Sequence, residues 1–458
     1  PIQYPEIFSP ERDGFDAVVG NPPYEIVSVQ ESGIEARKRE QRYFRKIYET
    51  CSGKINTYRL MLERGLQLLR PGGVLGFIIP ATLLADSSAA HLRRRVLEET
   101  QVKEVIVVPE KAKVFEGVTQ ALLILITRTG GRTEKLTPMF WNSEDYSGHT
   151  AGVEVTHRVI HQTGMRIPLL RSQEEKALLE ALSQYPPFGG DRDLRAVAAV
   201  HQGEINLSVH RRFITSWQTA YPLIRGEHIE PLMVQHPSGR LGRWDWVDES
   251  FFAEEGMHGR SSRPTSDHRS RPNAKPRSPW EHERIALARV VNMATQRRLK
   301  AALLPSGCLL GDMTNFIANP MLPRNYLLGL LNSRLLNWRL KLTSTNNYVS
   351  AAEIEALPIP RIDLEASNDG QSRRASDQVR TLLASPSRSL PEFLITARAV
   401  MERSGQDDNP MMIALMIEAL VDLILKSATK GEGNAQNLLD ALVVKLYRVE
   451  PFAEVPLV

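Results

Sequence analysis

The chain is poor in cysteine: Cys51 and Cys308 are the only two in 458 residues. A disulfide scaffold is thereby excluded, a reducing compartment is expected, and a structural zinc site lacks a neighbouring ligand pair. Long apolar runs are missing as well. The longest, such as Val74–Pro80 and Ala121–Ile126, are strand-sized and far too short to span a bilayer, so no membrane partner is expected. Charge of one sign is not in large excess, with Lys+Arg 57 against Asp+Glu 53 and a net charge of +4. That balance permits nucleic-acid binding where positive charge clusters, but does not require it. No basic segment followed by an apolar one stands at the start, so no signal peptide is read there. The first residue is Pro1 rather than Met, and a truncated, processed or partly given chain is the expectation. What remains is ordinary globular composition, with 42% hydrophobic and 24% charged residues. At roughly 150 residues per domain the length suggests about three domains.

The pattern along the chain predicts an α/β fold. Phe15–Gly20 (FDAVVG) reads as a buried strand stopped by Pro22 and Pro23, which cannot continue a ladder. Residues 31–50 are polar and basic. Ile55, Tyr58, Leu62, Leu66 and Leu69 recur at helical spacing and end at Pro71-Gly72-Gly73, a turn signal. Val74–Pro80, Val102–Val108 and Ala121–Thr127 read as strands, with a helix from Thr82 to Glu99. Continuous apolar runs suit strands buried on both faces of a mostly parallel, doubly wound sheet. Four strands are found where such a domain usually has about six. Half of the sheet is therefore expected upstream of Pro1.

Beyond this region, residues 151–195 read as a connector and 196–360 as a mixed α+β segment. Within the latter, 236–279 read as a mobile loop carrying Arg260, Arg263, Arg269, Arg271, Lys275 and Arg277 among Ser and Pro. A solvated insert without a role is an equally open reading of it. Asn325–Leu342 reads as one amphipathic helix. Residues 361–385 read as a linker and 386–458 as a helical C-terminal region. No internal repeat is found.

The motif that carries chemistry is Asn21-Pro22-Pro23-Tyr24, directly after the first strand. Two prolines stiffen the backbone and remove two N–H donors. The Pro22 carbonyl is then a fixed free acceptor, with the Asn21 side-chain carbonyl as a second one beside it. Two converging acceptors suit an amino group with two hydrogens to donate. Tyr24 offers a flat ring to stack on a heterocycle. The motif lies at the carboxyl end of a strand, where ligands bind in open α/β sheets.

This constellation resembles the adenine-specific class of DNA amino-methyltransferases. Leading up to it, the runs PIQYPEIF and GFDAVVGNPPY are similar to the surroundings of that motif in type IIG restriction–modification enzymes and related phage-defence methyltransferases. Leu68–Gly73 followed by a strand to Pro80, and Val114–Val118 before Ala121–Ile126, resemble later parts of the same Rossmann-like sheet. Tyr221–Gly226, Leu328–Ser333 and Leu357–Pro360 resemble a target-recognition domain.

The resemblance implies that Asn21 and the Pro22 carbonyl accept the amino hydrogens of a flipped adenine. Pro23 completes the rigid turn, and Tyr24 stacks on the base. Phe115 is expected on its other face, a core Phe at a strand edge being the alternative. The implied methyl donor is S-adenosyl-L-methionine, the implied partner is double-stranded DNA, and the implied location is the cytoplasm of a bacterial or archaeal cell. Arg225, His228, Arg324, Arg339, Lys341 and Asn346 are the first candidates for base contact, since Arg and Asn suit bidentate readout.

The sequence departs from the family's pattern in one respect. No glycine turn after a first strand, with an acidic residue after the second, is found. Gly431-Glu432-Gly433 lies between helical stretches. The cofactor residues are therefore unassigned and expected upstream of Pro1. The alternative reading is a DNA-recognition module that needs a further segment or partner polypeptide. Methylation of RNA or protein is a third reading, disfavoured by the recognition domain. His157 and His161 have i, i+4 spacing without a third ligand, so no metal is expected. No nuclease domain is identified.

Overall fold

The computed structural model describes residues 4–10, 12–26, 34–50, 55–118, 120–141, 148–190, 195–235, 244–254, 279–293, 295–345, 347–362, 410–427 and 433–449. The chain divides into two compact units, Pro1–Glu180 with Leu342–Asn346, and Ala181–Lys341 with Asn347–Val458.

The first unit contains β1 (Phe15–Gly20), α1 (Ile34–Ile47), α2 (Thr57–Gln67), β2 (Leu69–Pro80), α3 (Ala90–Glu99), β3 (Thr100–Val108) and β4 (Leu122–Thr129). Then come β5 (Lys135–Leu136), β6 (Pro138–Trp141), β7 (His149–Ala151), β8 (Val155–Thr156), α4 (His157–Gln162) and α5 (Gln173–Leu182), within which the division falls. The main sheet has the order β1-β2-β4-β3-β6-β7. β1 runs parallel to β2, and β3 parallel to β6. β4 lies antiparallel between β2 and β3, in a register that places Ile78 and Ile106 on either side of Ile124.

The sheet is thus more mixed than its apolar runs suggest. The thirteen residues 109–121 join β3 to β4, which pair antiparallel, so the chain reverses between them. β6 and β7 extend the main sheet, and β5 pairs with β8 in a small one; of these, only β8 and the last residue of β7 fall within the expected connector, 151–195.

α2 forms because Asn56 caps its N-terminus, its side chain accepting from the Tyr58 N–H, and because Tyr58, Leu62 and Leu66 repeat along one buried face. α2 packs on β2, whose Leu75, Phe77 and Ile79 are buried. The expected turn at Pro71-Gly72-Gly73 falls within β2, as a bulge of extra residues between the pairings Phe15–Leu69 and Ala17–Val74, with Gly72 at φ +80°. Gly14 enters β1 at φ +134°, and a Cβ there would lie 2.6 Å from the Arg70 nitrogen. Only glycine fits that approach.

The second unit holds two sheets. One has the order β10-β13-β11-β16, from β10 (Ile214–Thr215), β11 (Tyr221–Ile224), β13 (Trp246–Val247) and β16 (Leu309–Leu310). The other has the order β12-β15-β14-β17-β9, from β9 (Val200–Gln202), β12 (Leu232–Met233), β14 (Arg284–Ala288), β15 (Ala301–Leu304) and β17 (Thr314–Ile317). The helices are α6 (Ser250–Glu254), α7 (Arg324–Leu331), α8 (Arg334–Lys341), α9 (Ala351–Glu355), α10 (Pro410–Ser427) and α11 (Gly433–Leu446).

Two expectations are corrected here. Residues 244–254 are not loop: Trp244, Val247, Phe251 and Phe252 are buried in the cores of this unit. The rest of the expected basic loop, and 363–385 of the expected linker, lie outside the described residues. The helix expected over 325–342 is broken at Asn332 and Ser333. The buried Asn332 amide bonds both the N–H and the carbonyl of Ala301, acting as a short strand partner for β15. α10 packs on α7 within this unit, so the described C-terminal helices belong to its core.

Candidate functional site

The candidate site begins where β1 ends. Asn21 is exposed, Pro22 buried, Pro23 exposed and Tyr24 half-buried. The first turn of α2 holds this segment from behind. The Thr57 hydroxyl donates to the Pro23 carbonyl at 2.7 Å and lies 3.1 Å from the Glu25 carbonyl. The Thr57 N–H donates to Glu25 at 2.9 Å, and the Asn56 amide donates to the Tyr24 carbonyl at 3.4 Å. Among the described residues the Pro22 carbonyl accepts no hydrogen bond. A buried proline fixes its direction, as the stiffened turn predicts.

The Tyr24 hydroxyl donates to Asn21 Oδ1 at 2.6 Å and lies 3.2 Å from the Ile78 carbonyl. Burial pushes its pKa above the ordinary tyrosine value, so it is a protonated donor at neutral pH. Tyr24 also packs, with Ile78, Phe115, Val118, Ile124 and Trp141, against a buried patch of Val108, Ala112 and Leu122. Tyr24 and Phe115 thus share one apolar patch at the carboxyl ends of β2 and β3. Phe115 reaches it from a tight loop in which Lys113 and Gly117 take positive φ, 45° and 74°.

Sequence reasoning missed Asn56, Thr57 and Trp141. The cap signal Asn-Thr before an apolar-periodic helix was legible for the first two. Nothing local marked Trp141.

The six residues expected to read DNA are dispersed. Arg225 is ion-paired with Asp245. His228 is only 3% exposed and stacks on Trp244 at 4.0 Å. Its Nδ1 accepts from the Arg225 N–H, and burial lowers its pKa. Arg339 is 5% exposed within α8. His228 and Arg339 are therefore corrected to structural positions, since neither presents surface to a base edge. Arg324 opens α7 and pairs with Glu283 at 2.7 Å, both half-exposed on the wall of an open cleft with Asn319 and Met321. Lys341 is partly buried, and its pKa is lowered by burial and by Arg298. Asn346 lies outside the described residues.

His157 is held by Arg132, 2.8 Å from its Nδ1, and its Nε2 is 3.5 Å from Glu98. No group of three or more His, Cys, Asp or Glu among the described residues is placed to hold a metal. No helix of the described residues is long and apolar enough to cross a membrane. The described residues also do not fit an S-adenosylmethionine site. The glycines beside β1 lie at its bulged pairing with β2 rather than in a turn opening a helix.

Comparison with known proteins bears on the segment that carries the motif. Residues 2–115 match the family described as Eco57I restriction-modification methylase. The chain is 32% identical over 244 residues to the Type II methyltransferase M.TthHB8I of Thermus thermophilus, a match covering 51% of each. It is 28% identical over 92 residues to the Type II restriction enzyme and methyltransferase RM.Eco57I of Escherichia coli, covering 20% of this chain and 9% of that one. A solved Type IIL restriction-modification enzyme, MmeI in complex with DNA, overlaps 98% of this chain and 56% of its own at 12% identity and a TM-score of 0.44. The chain spans about half the length of the first of these relatives.

Proposed function

We propose that this chain, whose residues 2–115 match the Eco57I restriction-modification methylase family, serves an adenine-specific DNA methyltransferase of a restriction–modification or phage-defence system. The reaction is transfer of a methyl group from S-adenosylmethionine to the exocyclic amino group of a flipped adenine in double-stranded DNA. The observation that carries this reading is the pair of acceptors at Asn21 and Pro22, beside an aromatic patch holding Tyr24 and Phe115.

The chain's own residues supply the base side of the reaction. Asn21 Oδ1 and the Pro22 carbonyl accept the two amino hydrogens and draw the nitrogen lone pair out of conjugation with the ring. The nitrogen becomes a better nucleophile without deprotonation beforehand. Tyr24 and Phe115 offer their faces to the extruded ring, repaying part of the lost stacking. Arg225, Arg324, Lys341 and Asn346 are the remaining base-contact candidates, and other cations neutralise phosphates without reading sequence.

A second reading has its own support. Among the described residues β1 pairs on one side only, with β2, and Val19 on it is 83% exposed. An apolar strand with one free margin beside the site favours a module whose methyl-donor side comes from a further segment or a partner polypeptide.

Methyl incorporation into unmethylated DNA separates these readings. The assay uses labelled S-adenosylmethionine, identifies the methylated nucleoside, and takes Asn21→Ala as control. Methyladenine formed by the chain alone and strongly reduced, but still measurable, in Asn21→Ala supports the first reading. DNA binding without incorporation supports the second. A methylated base other than adenine refutes the assignment of the substrate.

A further inference from the structure

The Tyr24 hydroxyl is an additional element of the site, because stacking needs only the ring. It carries one proton and stands between two acceptors, Asn21 Oδ1 at 2.6 Å and the Ile78 carbonyl at 3.2 Å. Neither acceptor has a proton to give, so the hydroxyl serves them in alternation. We propose that this hydroxyl is a positioning group: it holds the Asn21 amide with its oxygen inward while the pocket is empty, and turns its proton to Ile78 when the adenine amino group arrives. The inference rests on the reading of the site as an adenine pocket.

Three observations argue for it. Asn21 is exposed, and without a fixed donor its amide rotates freely and presents N–H₂ as readily as C=O. The shorter of the two bonds is the one to Asn21, which sets the resting state. The hydroxyl also has a second acceptor on β2, a strand fixed by pairing on both sides. Yielding Asn21 to the substrate therefore leaves no buried donor unpaired. The exchange moves one proton about the Tyr24 C–O bond and breaks no covalent bond.

Single-turnover methyl transfer by the full-length protein, across Tyr24→Phe, Asn21→Ala and the double variant, tests this. Tyr24→Phe keeps the ring. It is expected to slow transfer about tenfold, the worth of one well-aligned hydrogen bond, with DNA affinity unchanged and the thermal midpoint lowered by no more than about 4 °C. In the Asn21→Ala background the same change is expected to slow transfer less than about twofold, because the group it positions is gone. Two results overturn the inference: wild-type rates in Tyr24→Phe, or an equal loss in both backgrounds, which makes the hydroxyl a mere anchor to Ile78. Failure of the wild-type protein to methylate adenine instead refutes the adenine pocket, and this inference with it.

Discussion

Replacing Thr57 by Val probes whether the first turn of α2 holds the site in shape. Valine keeps the branched shape and removes only the hydroxyl. That hydroxyl donates to the Pro23 carbonyl at 2.7 Å and approaches the Glu25 carbonyl at 3.1 Å. It has one proton, so one hydrogen bond is lost. The Thr57 N–H still donates to Glu25, and Asn56 still caps the helix. Pro23 is exposed, so water rehydrates its carbonyl, and the cost in stability is about 1 kcal/mol. For a unit of this size that lowers the thermal midpoint by about 2–4 °C. Methyl transfer should suffer more. Pro22 and Tyr24 are both bonded to Pro23, and a shift of several tenths of an ångström misdirects acceptor and ring together. A fall of about tenfold in kcat, with DNA affinity within about twofold, is expected. Thermal melting and single-turnover transfer on one preparation measure both quantities. If transfer and melting fall in simple proportion, or transfer is unchanged, α2 does not position the site and the reasoning fails.

Further outcomes follow from the second unit. Arg284 and Glu204 are each 1% exposed and ion-paired, with Glu204 also accepting from the Leu310 N–H at 2.9 Å. Arg284→Met strands the carboxylate and is expected to cost about 3–5 kcal/mol. Arg284→Met with Glu204→Gln is expected to recover much of it, as read by urea denaturation followed through Trp fluorescence. His228 has a pKa lowered first by burial, so the unfolded chain binds its proton more readily. Its contribution to stability is full above the unfolded value of about 6.5 and is lost as pH falls through the folded value. Urea midpoints between pH 7.5 and 5 should show this slope, and His228→Gln should remove it.

The Asn21–Tyr24 segment was the most legible part of the chain, because proline and glycine constrain the backbone locally. Asn21-Pro22-Pro23-Tyr24 needs no distant partner to form a stiff turn. β2, β3 and β4 were equally plain as continuous apolar runs. The orientation of β4 was not, since a continuous apolar run does not record the direction in which a strand pairs. Residues 244–254 were misread because their Trp and Phe residues sit among Ser, Pro and Arg. Only the fold shows Phe251 and Phe252 meeting Trp280 and Val247. His228 was misjudged for a related reason: an Arg-Gly-Glu-His turn reads as exposed, and its burial against Trp244 is a tertiary event. The break at Asn332 was hidden in an unbroken helical pattern, because the amide's partner is a strand thirty-one residues away.

The free margin of β1 has a practical consequence. Among the described residues β1 ends its sheet with Val19 bare, and so offers its own N–H and C=O groups to an extended chain nearby. Two molecules at high concentration can satisfy that demand with each other. Handling in isolation therefore carries a tendency to clump through this margin, rising with concentration. A lysine in place of Val19 should keep the solution clear, and would do so by exploiting the same exposure.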